Sequence, residues 1–125
     1  MRVILDTSGW LASVVKNDVF HQRAADFILE KPELIVPETV FEELIALLQY
    51  RFNRKTAQKN GEALLGVGLY LLNQKEIVAS WRFFCQTKPA ISWVDATLAV
   101  ISQKLDLPIF TFDRHFKSLK LKVLP

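Results

Sequence analysis

Cysteine is almost missing from this chain: Cys85 is the single one among 125 residues. No internal disulfide framework can form, which suits a reducing cytoplasm. Surrounded by Trp81, Phe83 and Phe84, Cys85 is expected to be a plain buried thiol rather than a reactive one. Only two histidines are present, and no His/Cys ligand set exists, which disfavours zinc. None of the four glycines belongs to a Gly-rich Lys-Ser/Thr loop, so a phosphate-loop nucleotide hydrolase is excluded. No segment approaches the ~20 uninterrupted apolar residues of a membrane span. The apolar run Val3–Leu5 is too short for a signal peptide, and Asp6 interrupts it at once. Repeats, linkers and low-complexity tracts are absent.

What is present is apolar residues at half of all positions, enough for one substantial core in a single domain spanning residues 1–125. The net charge of +3 is mild, but its distribution is uneven. Arg51, Arg54, Lys55 and Lys59 follow one acidic segment; Arg114, His115, Lys117, Lys120 and Lys122 follow another. Basic groups near acidic ones suit a phosphate backbone, and Arg51, Arg54, Lys55 and Arg114 are the candidate phosphate contacts; an ordinary solvated surface is the competing reading.

Periodicity predicts alternating elements. Arg2–Leu5 reads as a buried strand, and Asp6-Thr7-Ser8 as the turn that caps the following helix. A second helix covers Phe20 to Glu30, then comes a short strand Leu34–Val36. Pro37 is placed as the first residue of a helix reaching about Phe52. Helix Lys55–Leu65, strand Val67–Leu71, and a helix from Gln74 to about Thr87 capped by Asn73 follow. Ser92 caps Trp93–Leu105, Pro108–Phe112 is a buried strand, and Leu121–Leu124 is a last edge strand. The aromatics Trp10, Phe20, Phe41 and Phe52 are expected mainly in the core. Such alternation indicates an α/β fold with a central, mainly parallel sheet flanked by helices, whose ligands bind beyond the carboxyl ends of the strands.

Four carboxylates fall where the chain turns or starts a helix: Asp6, Glu43, Asp95 and Asp113. Taking ~100° per residue, Val40, Phe41, Leu47 and Leu48 lie within about 60° of Leu44, and Glu43 lies about 100° away. Glu43 therefore borders the apolar arc, able to reach a cleft, whereas Glu42 points away. Asp95 stands three residues after Ser92, the capping-box spacing, so a capping role and a functional one both fit. Asp6 and Asp113 both follow strands, where capping is the ordinary duty of aspartate. Ser8 and Thr111 present hydroxyls beside them. Brought together, four acids repel one another unless a hard divalent cation fills the space.

At these residues the chain resembles PIN domains, and more narrowly the VapC-type toxin ribonucleases of toxin–antitoxin pairs. The similarity runs over essentially the whole chain. It is carried by Asp6-Thr7-Ser8 after the first strand, Glu43-Leu44 after Pro37, the helix start Ser92–Ala96, and Thr111, Asp113 and Phe116 near the end; His21 before Ala24 and Ala25 fits as a scaffold position. Many relatives carry a further acid where this chain has Arg114 and His115, which leaves four clear ligands. The resemblance implies a three-layer PIN-like fold and a Mg²⁺- or Mn²⁺-dependent endoribonuclease that hydrolyses RNA phosphodiesters with a metal-activated water. It implies Asp6, Asp95 and Asp113 as metal ligands, directly or through water, with Glu43 orienting the nucleophile or serving a second metal. Ser8 and Thr111 would support them by hydrogen bonds. A small antitoxin, a homodimer and a cytoplasmic location are the implied context. The rival reading is a non-catalytic PIN-like module that binds RNA or protein. A haloacid-dehalogenase-like phosphatase would need a second aspartate where Ser8 stands.

Overall fold

The computed structural model describes residues 1–125. Five strands are present: β1 (Arg2–Leu5), β2 (Glu33–Pro37), β3 (Leu69–Tyr70), β4 (Ile109–Phe110) and β5 (Val123–Leu124). Seven helices alternate with them: α1 (Thr7–Val14), α2 (His21–Leu29), α3 (Glu38–Arg51), α4 (Arg54–Val67), α5 (Gln74–Gln86), α6 (Trp93–Leu105) and α7 (His115–Ser118). The strands form one sheet in the order β3-β2-β1-β4-β5, and every neighbouring pair is parallel.

Val3, Ile4 and Leu5 are fully buried, as expected for the middle strand of a parallel sheet covered on both faces. From β1 the chain steps to β2 and β3, then crosses back past β1 to β4 and β5. The order therefore reverses between β1 and β4, the switch point where open parallel sheets hold their ligands. α3 begins directly after β2, at the same carboxyl rim. Only Asp106, Leu107 and Pro108 separate α6 from β4, so α6 runs antiparallel to that strand and its first turn also faces the rim. A hydrogen bond of 2.8 Å between Thr39 and Thr97 pins the starts of α3 and α6 together.

Several sequence expectations are corrected. Val67 belongs to α4, and the strand expected over Val67–Leu71 is reduced to Leu69–Tyr70. The helix passes through Gly66 and stops at Gly68, whose φ of +98° only glycine adopts without strain. Pro37 closes β2 with extended backbone and stands just before α3 rather than inside it. The strands expected over Pro108–Phe112 and Leu121–Leu124 shrink to two residues each. Cys85 is exposed, not buried, because α5 packs chiefly against α6 and turns its other faces outward. Trp10, Phe20 and Phe41 do pack on the core while partly buried, whereas Phe52 is 47% exposed. Asn73 and Ser92 both form capping boxes, with Glu76 and Asp95 respectively.

Candidate active site

The pairing of Leu5 with Phe110 makes Asp6 and Thr111 the next residues out along two adjacent strands. Their side chains meet: Thr111 Oγ1 donates to Asp6 Oδ2 at 2.6 Å, and Ser8 Oγ donates to the same oxygen at 2.9 Å. The hydroxyl oxygens lie 3.0 Å apart. Each carries one proton, and both protons go to the carboxylate, so that short separation follows from their convergence. Both hydroxyls also accept main-chain protons, Ser8 from Phe112 N–H at 3.0 Å and Thr111 from Asp113 N–H at 2.9 Å. The loop after β4 is thereby tied to the loop after β1.

Asp6 occupies the position before α1, yet its side chain makes no capping hydrogen bond. The expected capping duty is therefore not what this aspartate does. It is buried at 4% exposure, and desolvation raises its pKa from 3.8 to about 6. The Thr111 and Ser8 hydroxyls pull the other way, and the charge of Asp95 adds to the rise. Asp95 is likewise raised, first by desolvation; its capping bonds to Ser92 and the nearby His115 lower it, while Asp113 raises it further. Capping and clustering, open alternatives in the sequence, coexist in Asp95.

Asp113, half-buried, receives the His115 main-chain N–H on Oδ1 at 2.9 Å and lies 3.0 Å from His115 Nδ1. One oxygen each of Asp95 and Asp113 and one ring nitrogen of His115 lie within 4.8 Å of one another. Glu43, one turn into α3, accepts from Thr7 Oγ1 at 2.6 Å, which moors it to the start of α1 beside Asp6. All four acids therefore reach the carboxyl rim. Asp95 and Asp113 form the tight group, Asp6 adjoins it through Thr111, and Glu43 adjoins Asp6 through Thr7.

Two close neighbours of these acids are not among the residues the sequence singles out for the site. Thr7 looked like part of a turn, and only the sheet order brings Glu43 to it. His115 was grouped with surface cations; its spacing of two from Asp113 was the available signal. Of the basic candidates, Arg114 adjoins Asp113 and, with Arg23 and Lys117, lines a small cleft there of about 180 Å³. Arg51 stands eight residues beyond Glu43, about 12 Å along α3, and Arg54 and Lys55 follow it. These three are not gathered at the carboxylates.

The donor set suits a divalent cation. Oxygen-rich, partly buried acids with raised pKa values gain from a cation that offsets their mutual repulsion. No helix is long and apolar enough to cross a membrane.

Comparison with solved structures gives close overall matches at low sequence identity. VapC20 of Mycobacterium tuberculosis, a sarcin–ricin loop cleaving toxin, superposes with a TM-score of 0.87 at 21% identity, covering 95% of each chain. A chain of VapBC2 from Rickettsia felis, bound to a DNA fragment from its promoter, matches with a TM-score of 0.73 at 12% identity, covering 99% of this chain and 98% of that one. FitAcB from Neisseria gonorrhoeae gives a TM-score of 0.73 at 14% identity, over 100% of this chain and 97% of that chain. No curated protein matches in sequence. The profile of the PIN domain matches residues 3–122, nearly the full length over which the sheet, the switch point and the acidic rim are built, and the chain belongs to the PIN domain family.

Proposed function

We propose that this protein is a divalent-cation-dependent endoribonuclease, the toxin of a type II toxin–antitoxin pair. The observation that carries the reading is Asp6: a buried carboxylate at a sheet switch point, released from capping and held by two hydroxyls beside two further aspartates. A merely structural aspartate here would cap α1. Asp6, Asp95 and Asp113 would hold Mg²⁺ or Mn²⁺, directly or through water. When bound, the cation polarises the scissile phosphate and lowers the pKa of a water.

The chain's own groups supply the rest. Asp6 is kept in one orientation by Ser8 and Thr111, so little reorganisation is needed as charge develops. Glu43, held by Thr7, is placed to orient the attacking water and take its proton. The first turn of α6 presents Asp95 in a fixed capping geometry. Arg114, with Arg23 and Lys117 in the adjoining cleft, would receive the RNA backbone.

The likeness to VapC20 supports RNA as the substrate class, and the VapBC and FitAcB assemblies support a small antitoxin as partner. We extend the reading to a homodimer acting inside the cell, each copy a single folded domain. The test is cleavage of folded RNA by purified protein with Mg²⁺ or Mn²⁺, with and without chelator. Cleavage should stop when the cation is removed. RNA bound but uncut in excess cation would instead support the binding-module reading.

Glu43→Gln separates chemistry from binding. It should lower the cleavage rate about 100-fold, the size of a lost general base, while the Kd for RNA measured in chelator stays within a factor of two. An unchanged rate would remove Glu43 from the reaction. Thr7→Val should reproduce part of the loss by freeing the Glu43 side chain.

A further inference from the structure

We propose that His115 supplies a nitrogen donor to the cation held by Asp95 and Asp113, and so sets the preference of the site toward Mn²⁺ over Mg²⁺. The inference rests on the metal-dependent reading above and adds a ligand and a selectivity to it.

The spacing fits a coordination edge as well as it fits an ion pair. In an octahedral site with bonds of about 2.1 Å, neighbouring donors stand about 3.0 Å apart. His115 Nδ1 and Asp113 Oδ1 are 3.0 Å apart, and an Asp95 oxygen completes a group whose members lie within 4.8 Å.

The imidazole adds little to the stability of the fold where it stands. Asp113 Oδ1 already receives the His115 main-chain N–H at 2.9 Å, and that bond fixes the turn into α7. The ring is 56% exposed, where an ion pair with an aspartate contributes little to stability. Removing the ring therefore leaves the turn intact, so a variant at this position tests the place of the ring beside the two acids.

Donor chemistry then gives the selectivity. Mg²⁺ takes hard oxygen ligands and loses its waters reluctantly, whereas first-row transition ions accept imidazole nitrogen readily. A site of carboxylates alone would serve both ions. One nitrogen arm favours Mn²⁺.

The test uses the whole metal-free protein, with Mn²⁺ and Mg²⁺ as probes. Their affinities are measured by calorimetry in the parent chain, in His115→Ala and in His115→Asp. Pulsed electron paramagnetic resonance of the Mn²⁺-loaded forms then reads nitrogen coupling to the metal. His21, the other histidine and the first residue of α2, directs Nδ1 at the Ala12 carbonyl of α1 at 2.8 Å and provides the internal control. The parent should show imidazole nitrogen coupling and bind Mn²⁺ at least tenfold more tightly than Mg²⁺. His115→Ala should lose the coupling and about tenfold in Mn²⁺ affinity, with Mg²⁺ changed less than threefold. His115→Asp should lack the coupling and shift the preference back toward Mg²⁺. Circular dichroism confirms that the variants are folded.

Coupling absent from the parent, coupling retained in His115→Ala, or equal weakening of both ions in His115→Ala would overturn the proposal. The last result would mean that the ring acts only by orienting Asp113. If the parent binds neither ion more tightly than Asp6→Asn does, the metal-dependent reading itself fails.

Discussion

Asp6→Asn is expected to abolish cation-dependent RNA cleavage, by a factor of about 10³ or more, in a protein that is no less stable than its parent at pH 7. The factor corresponds to about 4 kcal/mol of transition-state stabilisation, reasonable for a carboxylate that holds the cation. The stability half follows from burial. The carboxyl of Asp6 has a pKa of about 6 in the folded chain against 3.8 when unfolded. The folded state therefore binds the extra proton between those values, and stability from this group is fully present below pH 3.8 and lost as pH rises through 6. In the metal-free protein the loss is about 3 kcal/mol by pH 7, an order-of-magnitude figure from the shift itself. Asparagine keeps an acceptor for Ser8 and Thr111 and carries no charge to bury. The advantage of the variant should thus grow from near zero at pH 4 toward, at most, those few kcal/mol at pH 7, as read by denaturant unfolding in chelator. Mn²⁺ at about 100 times its Kd should stabilise the parent by about 2.7 kcal/mol and leave the variant unmoved. A variant that cleaves RNA at the parental rate, or a parent whose stability relative to the variant is independent of pH, would remove Asp6 from the site.

The acids of this rim could be picked out before the structure, because each stands at a sequence landmark: after a strand, one turn into a helix, or at a capping-box position. The α/β class was equally open to view, since Val3–Leu5 and Ile109–Phe110 are short apolar runs between amphipathic helices. What sequence could not supply was adjacency across the sheet. Ser8 and Thr111 both donate to Asp6 because β1 and β4 are neighbours, and strand order is a property of the whole chain. Thr7 was invisible as the partner of Glu43 for the same reason. The strand expected at Val67–Leu71 failed on a local contest: helical hydrogen bonding runs through Gly66 to the Gly68 cap. Cys85 failed on context. Its aromatic neighbours suggested burial, but Trp81 is itself more than half exposed on a helix covered mainly on one side.

Gly9→Ala tests how tightly the site depends on the approach of α1 to β4. A methyl group built on Gly9 would lie 2.5 Å from the main-chain oxygen of Phe110 and 3.0 Å from its ring. The obstacle is backbone in the buried centre of the sheet, and that same carbonyl accepts the Asp6 N–H at 3.1 Å. No side-chain rotation can relieve it, so α1 must move outward. Alanine gains about 1 kcal/mol over glycine in a helix interior. Overpacking against a rigid neighbour costs about 1–3 kcal/mol and occasionally more. The contact here is backbone at well under van der Waals separation, so the upper end applies, and a net loss of about 2 kcal/mol or more is expected in chemical unfolding. The activity should fall further than the fraction unfolded accounts for. Thr7, Ser8 and Asp6 lie just before Gly9, and a displacement of about 1 Å at this point pulls all three away from Glu43 and Thr111. Cleavage assayed well below the melting temperature separates the two effects. If Gly9→Ala is as stable as the parent, the close packing of α1 on β4 is wrong; if it is destabilised yet fully active when folded, the rim does not need Asp6 and Thr111 held at hydrogen-bond distance.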